Sequence, residues 1–402
     1  MANKPEDTFD PDLLNQPWQA RVASFERYIS NHRLLREAYE RFRSAISIPI
    51  PGRIVLVYGP SGVGKTTLRE GVQRRIILEM MPQLEKDPGR IPIVGVKVEA
   101  PDSGSFDWKK FYKSMLKALD EVLLDQKTNY RVRGVSRDQA GQIIFDDNAT
   151  KPDLSEAVFS AVEHRKPVAV IADEAQDLGI VTSGRKLQDQ MNRIKHLADT
   201  LKIPIFLVGT YDLLKFRLLN GQLSRRGVEI HFGRYRIDKD EDVEDFKDIL
   251  NTFQKKMPLI DEPDLVGRWE YFYERTLGCV GILKDWLTEA LHKSLEMGNE
   301  TLQDKWLDAF ALPMASRCAM LDDILSKEKE IIEAETTEKI DEYRERLRSG
   351  PVVSMEAKSK TASKAPGQTV ENLKPAASKR KTAPPFRRKP KRDPVGEQKL
   401  AS

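Results

Sequence analysis

The sequence predicts an α/β fold in which a five-stranded parallel sheet has helices on both faces and is followed by a small all-helical domain. Five short apolar runs, several of them β-branched, alternate with longer helical patterns up to residue 238, as strands joined by crossover helices do. After Asp238 only helical patterns continue. The predicted strands are 54–58, 93–98, 168–172, 205–208 and 228–232.

These patterns divide the 402-residue chain into five regions. The first is a helical lead-in, in which Trp18, Val22, Phe25 and Ile29 follow helical spacing. The regions are the lead-in 1–48, the α/β core 49–238, the helical lid domain 239–312, a charged helical extension 313–350 and a tail 351–402. The predicted helices are 34–46, 65–80, 108–124, 154–164, 185–201, 240–256, 262–277, 281–297, 302–312 and 321–348, with a loop at 129–137.

The composition is that of a soluble globular protein, with 40% hydrophobic and 32% charged residues. Cys279 and Cys318 are the only cysteines, which excludes a disulfide framework and fits a reducing compartment. No apolar run approaches the roughly 18 residues that a membrane span needs. The first nine residues are polar and acidic, without the pattern of a signal peptide. We therefore expect a cytoplasmic protein without a membrane partner.

The charge is distributed unevenly along the chain. Residues 351–402 contain 13 Lys/Arg and 4 Asp/Glu, a formal charge of +9, which leaves −5 for residues 1–350. This tail is also rich in Pro, Ala, Ser and Thr, so it cannot bury enough apolar surface to fold alone. The sequence predicts a disordered basic arm, and two interpretations stay open: a solubilising tail, or an arm that recruits nucleic acid or a partner.

A glycine-rich motif follows the first predicted strand and opens the next helix. It reads Gly-Pro-Ser-Gly-Val-Gly-Lys-Thr-Thr and fits G-x-x-x-x-G-K-[ST], the phosphate-binding loop or P-loop. Its backbone N–H groups and the helix N-terminus favour phosphate, Lys65 adds a positive charge, and the Thr66 hydroxyl is suited to Mg²⁺. The alternative is a glycine-rich turn. The candidate ATP-binding residues are Gly59, Pro60, Ser61, Gly62, Val63, Gly64, Lys65, Thr66 and Thr67.

Two carboxylates end the predicted strand 168–172. Its continuous apolar sequence is typical of a parallel strand buried on both faces, and ligands bind beyond the carboxyl ends of such strands. Asp173 is therefore a candidate for orienting Mg²⁺ and its waters, and Glu174 for polarising the water that attacks the γ-phosphate. The alternative is two ordinary acids in a surface loop. A base beside the metal-binding acid indicates hydrolysis of ATP rather than phosphoryl transfer to a metabolite.

Several segments together resemble those of the AAA+ transposition regulators of the TnsC/TniB type, over roughly residues 10–312. A helical lid after a P-loop core is also the layout of AAA+ ATPases. Segments 59–67 and 169–176 are general to P-loop ATPases, and segments 105–112 and 206–210 are more typical of this family. The segments are 59–67, 169–176, 105–112, 206–210, 223–226 and 278–284.

The resemblance implies a mechanism. Proteins of this family bind ATP between neighbouring subunits and form rings or helical filaments around duplex DNA. They pass a target site to a transposase, and hydrolysis then disassembles the oligomer. The implied partners are therefore duplex DNA of any sequence, further copies of the chain, a transposase and a target-selection protein.

The resemblance also implies roles for single residues. Thr210 takes the sensor-1 place near the γ-phosphate, or else it only caps the next helix. Arg225 takes the place of the arginine finger that reaches a neighbour's γ-phosphate, with Arg226 as its substitute, and a surface ion pair is the alternative. Lys284 stands where many AAA+ lids have a sensor-2 Arg, which leaves its role open because Lys makes no planar bidentate contact.

DNA contacts are implied for the segment after the second core strand, which faces the DNA-holding pore in this family. The basic residues available there are Lys109, Lys110, Arg131 and Arg133. Cations that follow the phosphate backbone give binding that is independent of sequence and sensitive to salt. The alternative is that these side chains are only solvated surface groups.

Two other functions remain open. One is a replication initiator or helicase loader of the AAA+ class, although such proteins usually carry a folded domain where this chain has a low-complexity tail. The other is a signalling or scaffold P-loop protein that uses nucleotide as a switch. In the AAA+ interpretations the base of the nucleotide is expected near Asn31, His32 and Arg33, because AAA+ folds often close the base site from the lead-in.

Overall fold

The computed structural model describes residues 8–48, 50–101, 106–119, 135–137, 143–145, 149–180, 184–217, 227–334 and 337–349. The described residues up to 334 belong to one compact unit, and the helix Thr337–Ser349 belongs to a second. None of the helices in the described ranges is long and apolar enough to cross a membrane.

The central sheet has five parallel strands, as the sequence predicts. Numbered in chain order, the strands are β1 Ile54–Tyr58, β2 Val94–Lys97, β3 Val135–Arg137, β4 Ile143–Phe145, β5 Val170–Asp173, β6 Ile205–Gly209 and β7 Gly227–His231. The spatial order in the sheet is β2-β5-β6-β1-β7, and Ile54 of β1 lies opposite both Ile205 and Gly227. Strands β3 and β4 form a separate antiparallel pair in which Arg137 faces Ile143, so the loop predicted at 129–137 is wrong at its end.

Helices cover both faces of the sheet and form the region after it. They are α1 Trp18–Arg27, α2 Arg33–Ser47, α3 Lys65–Lys86, α4 Trp108–Ala118, α5 Lys151–Arg165, α6 Gly184–Leu201, α7 Leu214–Arg217, α8 Asp240–Lys256, α9 Trp269–Thr276, α10 Val280–Glu296, α11 Asp304–Phe310, α12 Met314–Ala334 and α13 Thr337–Ser349. Short 3₁₀ turns occupy Pro11–Asn15, Ala175–Gly179 and Tyr211–Leu213.

The alternation of side chains along the strands creates a core on each face of the sheet. On one face Leu56 packs with residues of α4, α5 and α6. On the other face Val55 and Val57 pack with α2 and α3, where the Phe42 and Phe206 rings stack with centroids 3.9 Å apart. Because every residue of β1 and β6 is buried, these strands lack a polar face, as expected for a parallel sheet covered on both sides.

A third core joins the lead-in to the helical region. Val22 and Phe25 of α1 pack among apolar side chains of α8, α9 and α10. Helix α1 ends at Arg27, and Ile29 lies beyond it with 44% of its surface exposed. The predicted helical spacing therefore holds for Trp18, Val22 and Phe25 and is wrong for Ile29.

Several helix boundaries differ from the prediction, and α3, expected at 65–80, continues to Lys86. The helix expected at 262–277 begins at Trp269, because side chains satisfy the backbone before it: Gln254 Oε1 accepts from Leu265 N–H at 2.8 Å, and Asp264 Oδ1 from Gly267 N–H at 2.7 Å. The charged run expected at 321–348 is helical on both sides of residues 335–336, which lie outside the described ranges: α12 precedes them and α13 follows them. The first of these helices, α12, contributes the buried side chain of Ile324.

Candidate nucleotide-binding site

A cavity of about 440 Å³ lies beyond the carboxyl ends of the central strands. The glycine loop forms its floor, the segment after α1 forms one wall, and the first turns of α10 form another. The cavity is lined by Glu26, Tyr28, Ile29, Ser30, His32, Leu35, Ser61, Gly62, Val63, Gly64, Lys65, Thr66, Thr67, Asp173, Glu174, Thr210, Phe253, Val280, Gly281, Lys284 and Asp285. Most of the residues predicted to bind the nucleotide therefore line the same cavity.

The glycine loop has a backbone that other residues adopt only with strain. Gly62 and Gly64 have φ angles of 75° and 103°, in the left-handed region that favours glycine. Gly59 is packed so closely that an added Cβ would lie 1.9 Å from the carbonyl oxygen of Phe232. Helix α3 begins directly after Gly64, so its N-terminal N–H groups open toward the cavity. This cradle fits a phosphate chain.

Lys65 is held at the edge of the loop. Its Nζ donates to the carbonyl oxygens of Gly59 at 3.1 Å and Pro60 at 2.8 Å. Burial lowers the pKa of Lys65, while the nearby carboxylates of Glu174 and Asp173 act in the opposite direction. The side chain therefore presents its ammonium group beside the loop that would carry the phosphates.

Asp173 ends β5 as a buried carboxylate. Its Oδ1 accepts from the backbone N–H of Glu174 at 3.0 Å, and its Oδ2 lies 3.3 Å from Arg69 Nε. Burial raises the pKa of Asp173, and the Arg69 guanidinium opposes that rise. Sequence reasoning missed Arg69, although it stands four residues after Lys65 on α3 and so on a neighbouring part of the same helix surface.

The side-chain oxygens of Asp173 and Thr66 are suitable ligands for Mg²⁺. Asp173 and the exposed Thr66 both line the cavity, and Mg²⁺ typically takes one or two protein oxygens together with phosphates and water. Within the described ranges, no group of three or more His, Cys, Asp or Glu forms a dedicated metal cluster. These residues would therefore bind Mg²⁺ together with phosphate and water oxygens, and they do not form a site made of protein ligands alone.

Glu174 and Thr210 are joined through a residue that sequence reasoning did not single out. Gln176 Nε2 donates to Glu174 Oε2 at 2.5 Å, and Gln176 Oε1 accepts from the Thr210 backbone N–H at 3.2 Å. The Thr210 hydroxyl accepts from Asp212 N–H at 3.4 Å and caps the next 3₁₀ turn, as the alternative interpretation expects. Its proton remains available for donation toward the cavity.

Lys284 faces the lead-in helix. Its Nζ donates to the Phe25 carbonyl oxygen and lies 3.3 Å from the centroid of the Phe25 ring. Burial lowers the pKa of Lys284 to about 7, against the opposing effects of Asp285 and Glu26. Lys284 lines the cavity, but its contacts tie the lid to α1, so a sensor-2 role stays a prediction.

The segment expected to hold the base lies at the cavity wall. His32 is buried, and its Nδ1 is 2.9 Å from the Tyr235 hydroxyl. Burial, aided by Arg36 and Arg33, lowers the pKa of His32 to about 4, so the ring is neutral at physiological pH. Asn31 lines an adjoining space of about 730 Å³ between α2 and α3. Arg33 instead pairs with Asp242 and Asp245 of α8.

The DNA candidates are described only in part. Lys109 and Lys110 lie in the first turn of α4, where Asp107 caps the helix. Lys110 Nζ is 2.6 Å from Glu99 Oε2, and Lys109 is half-buried. The aromatic residues of the same segment, including Trp108 and Phe111, belong to the core. Four candidate arginines lie outside the described residues: Arg131, Arg133, Arg225 and Arg226.

Comparison with solved structures finds distant similarity. The ORC2 protein of Aeropyrum pernix in its ADP form is 15% identical, with 72% of this chain and 71% of that chain covered and a TM-score of 0.47. The Walker-type ATPase PABY2304 of Pyrococcus abyssi is 15% identical over 81% of each chain, with a TM-score of 0.41. Drosophila ORC bound to DNA is 16% identical over 74% and 70%, with a TM-score of 0.36. Similarity at this level does not extend to function.

Comparison with families gives a firmer result. The AAA_22 family, described as an AAA domain, matches residues 51–216. No curated protein matches the chain. The matched range begins just before β1, ends in α7, and contains the glycine loop together with Asp173, Glu174 and Thr210. Residues 51–216 are therefore similar to an AAA domain, and the chain has the AAA+ P-loop fold, with a five-stranded parallel sheet followed by a helical region.

Proposed function

We propose that this chain hydrolyses ATP in a Mg²⁺-dependent reaction. The observation that carries the proposal is the single cavity where the glycine loop and Lys65 meet Asp173, Glu174 and Thr210. A phosphate cradle alone would suit a nucleotide switch. The carboxylate of Glu174, placed beside that of Asp173, adds a group that can accept a proton from water.

Each residue has a separate task in this proposal. The backbone N–H groups of the loop and Lys65 would hold the phosphates, and Thr66 and Asp173 would hold Mg²⁺, whose charge would offset that of the phosphates. Glu174 takes a proton from the water whose oxygen bonds to the γ-phosphorus. The bond from that phosphorus to the bridging oxygen breaks, and ADP and phosphate leave. Thr210 donates a hydrogen bond near the γ-phosphate.

The finer proposal concerns what hydrolysis controls. On the sequence resemblance, the chain assembles on duplex DNA as a ring or filament, recruits or activates a transposase with a target-selection protein, and disassembles on hydrolysis. A replication initiator or helicase loader shares the nucleotide chemistry and differs in the partner. A nucleotide switch without DNA is the third candidate. Assays of transposition and of helicase loading separate these candidates. A transposition regulator should stimulate a transposase, a replication initiator or helicase loader should stimulate helicase loading, and a nucleotide switch should stimulate neither.

The core of the proposal is tested by ATP turnover with and without duplex DNA, using two variants. Lys65→Ala should lose ATP binding and assembly, because a charge-assisted phosphate contact is removed. Glu174→Gln should bind ATP but turn over at least about a hundredfold more slowly, because the amide cannot serve as the base. Its assemblies on DNA, imaged by negative stain, should persist. Wild-type turnover by Glu174→Gln contradicts the role of Glu174.

Assembly is tested by mixing variants. Arg225→Ala should leave ATP binding by the monomer near normal and reduce turnover, because the finger acts on a neighbour's nucleotide. Mixing it with Lys65→Ala protein should restore part of the activity through interfaces that combine an intact site with an intact finger. If the mixture is as inactive as its two components, Arg225 is not the arginine finger, and Arg226 becomes the candidate for that role.

A further inference from the structure

We infer that Gln176 is a positioning residue for the proposed hydrolysis: it holds the Glu174 carboxylate in place by anchoring it to the end of β6. This inference rests on the proposed function. The orientation of the Gln176 amide is fixed by its partners. The Thr210 backbone N–H can only donate, so the oxygen of the amide must face it at 3.2 Å. The NH₂ group is then turned toward Glu174, where it donates to Oε2 at 2.5 Å.

The backbone around Gln176 is held firmly. Gln176 lies in the 3₁₀ turn Ala175–Gly179, whose Ala175 and Leu178 side chains are fully buried in the core. Glu174 enters this turn with a φ of 55°, in the left-handed region that is uncommon for a residue with a side chain. Its carbonyl accepts from Asp177 N–H at 3.1 Å. The turn therefore fixes the direction from which Gln176 reaches Glu174.

The neighbouring strand leaves room for the Gln176 amide. A Cβ added to Gly209 would lie 2.3 Å from Gln176 Oε1 and 3.2 Å from the Gln176 backbone nitrogen. Gly209, at the end of β6, has a negative φ, so conformational freedom does not explain why a glycine stands at this position. The close approach of the Gln176 side chain explains it, because that approach leaves no room for a Cβ. An alanine at this position would displace the amide from Thr210.

The bridge has a chemical consequence. A glutamate side chain has three rotatable bonds, and a base must stay within hydrogen-bond reach of the proton that it takes. The Gln176 NH₂ group occupies Oε2 and thereby leaves Oε1 of Glu174 for the water. Because the other end of the same amide holds Thr210, the base and the proposed γ-phosphate donor keep a fixed relative position.

Two variants test this bridge. Gln176→Ala removes both hydrogen bonds, and Gln176→Glu keeps the acceptor for Thr210 while replacing the donor with a second carboxylate. Both should lower kcat about ten- to a hundredfold, as expected for the loss of a charge-assisted hydrogen bond in the transition state. KM and the ATP affinity should stay near wild type. Gln83→Glu, at an exposed position of α3, makes the same chemical change and should have wild-type turnover.

A double variant separates positioning of Glu174 from a structural role. In the Glu174→Gln background, Gln176→Glu should cause no further loss of kcat, whereas damage to the fold would add to it. Gly209→Ala displaces an intact Gln176 and should reproduce the loss of kcat if the folded protein binds ATP normally. Wild-type kcat in Gln176→Glu overturns the inference while ATP hydrolysis by the wild type stands. No turnover by the wild type, with or without duplex DNA, overturns the proposed function itself.

Discussion

Gly281, in the first turn of α10, lies directly against Gly62 of the phosphate-binding loop. A Cβ added to Gly281 would be 2.4 Å from the Gly62 carbonyl oxygen, and the same oxygen accepts from Ile282 N–H at 3.0 Å. The helical lid and the loop therefore touch through backbone atoms, with no side chain between them. A shift of the Gly62 backbone would therefore either move the first turn of α10 or break this hydrogen bond.

Gly281→Ala should lower the ATP affinity about five- to 150-fold, because the loop or α10 must move to admit the methyl group and overpacking costs about 1–3 kcal/mol. Calorimetry measures the affinity, and urea unfolding shows whether the protein still folds. The matched control is Gly71→Ala in α3, where an added Cβ meets nothing within 4 Å. Unchanged affinity in Gly281→Ala would show that this contact does not influence the nucleotide site.

Lys284 gives the second prediction, which concerns pH. The folded pKa is about 7 and the ordinary value is 10.5, so between these values the unfolded chain holds a proton that the folded chain has released. The contribution of Lys284 to the free energy of unfolding should therefore rise with pH across this window, by at most about 1.4 kcal/mol per pH unit. Below pH 7 the full cost of burying the charge is present.

Urea unfolding of Lys284→Met and of the wild type tests this dependence on pH. The measurements run from about pH 6.5 to about pH 9.5, roughly the range in which Lys284 titrates. The variant should be most stable relative to wild type at the acidic end, and its advantage should shrink as pH rises. Lys305→Met, at an exposed position of α11, should show no such trend. Parallel curves for wild type and Lys284→Met would mean that Lys284 keeps its proton throughout, held by the Phe25 carbonyl and ring.

The nucleotide motif and the strands were predictable because both are local in sequence. A run such as Ile54–Tyr58 is apolar at every position and can only be buried on both faces, and the glycine spacing after it has one steric explanation. The strands expected at 93–98 and 168–172 differ by one or two residues at their ends: the apolar pattern begins before the paired backbone of both strands, and the pairing of β5 continues to Asp173.

The missed features depend on contacts between distant residues. Gln176 reaches Thr210 only because β5 and β6 are neighbours, and Phe25 meets Lys284 only because α1 packs against the lid. No local pattern encodes either pair. Arg69 is the exception, because residues four apart on a helix are neighbours on its surface. Its position one turn after Lys65 therefore indicates that it lies near the phosphate-binding loop and Asp173.

A buried ion pair gives the third prediction. Arg234 follows β7, and its guanidinium meets the carboxylate of Glu328 through two contacts of 3.0 Å, with each side chain 8% exposed. Arg234 also donates to the Leu277 carbonyl oxygen at 3.2 Å. The pair therefore joins the end of the sheet, the lid and α12 at one point.

Glu328→Ala should destabilise the protein by about 3–5 kcal/mol, because it leaves the Arg234 charge buried without its partner. The comparison is Glu333→Ala, which removes an exposed partner of Lys329 on the same helix at 3.7 Å and should cost less than about 1 kcal/mol. Urea unfolding measures both. A destabilisation by Glu328→Ala no larger than that by Glu333→Ala would show that the Arg234–Glu328 ion pair contributes little to the stability of the compact unit.

The fourth prediction asks how a chain whose first 350 residues are net negative would hold duplex DNA. The cations must be concentrated locally, and Lys109 with Arg133 belongs to the segment that the resemblance turns toward DNA. Lys109→Glu combined with Arg133→Glu should weaken binding to all duplex sequences alike and reduce the slope of log affinity against log salt by about two, one for each phosphate that is no longer neutralised. ATP binding should survive, because neither residue belongs to the nucleotide motif.

Truncation after Gly350 is the matched comparison, because it removes the +9 tail and leaves the segment around Lys109 intact. Fluorescence anisotropy of a labelled duplex at several salt concentrations measures both proteins. If the double variant loses binding and the truncated chain keeps it, the folded part of the protein supplies the cations. The reverse result would assign DNA binding to residues 351–402, since only there do the remaining basic residues outnumber the acidic ones by so wide a margin.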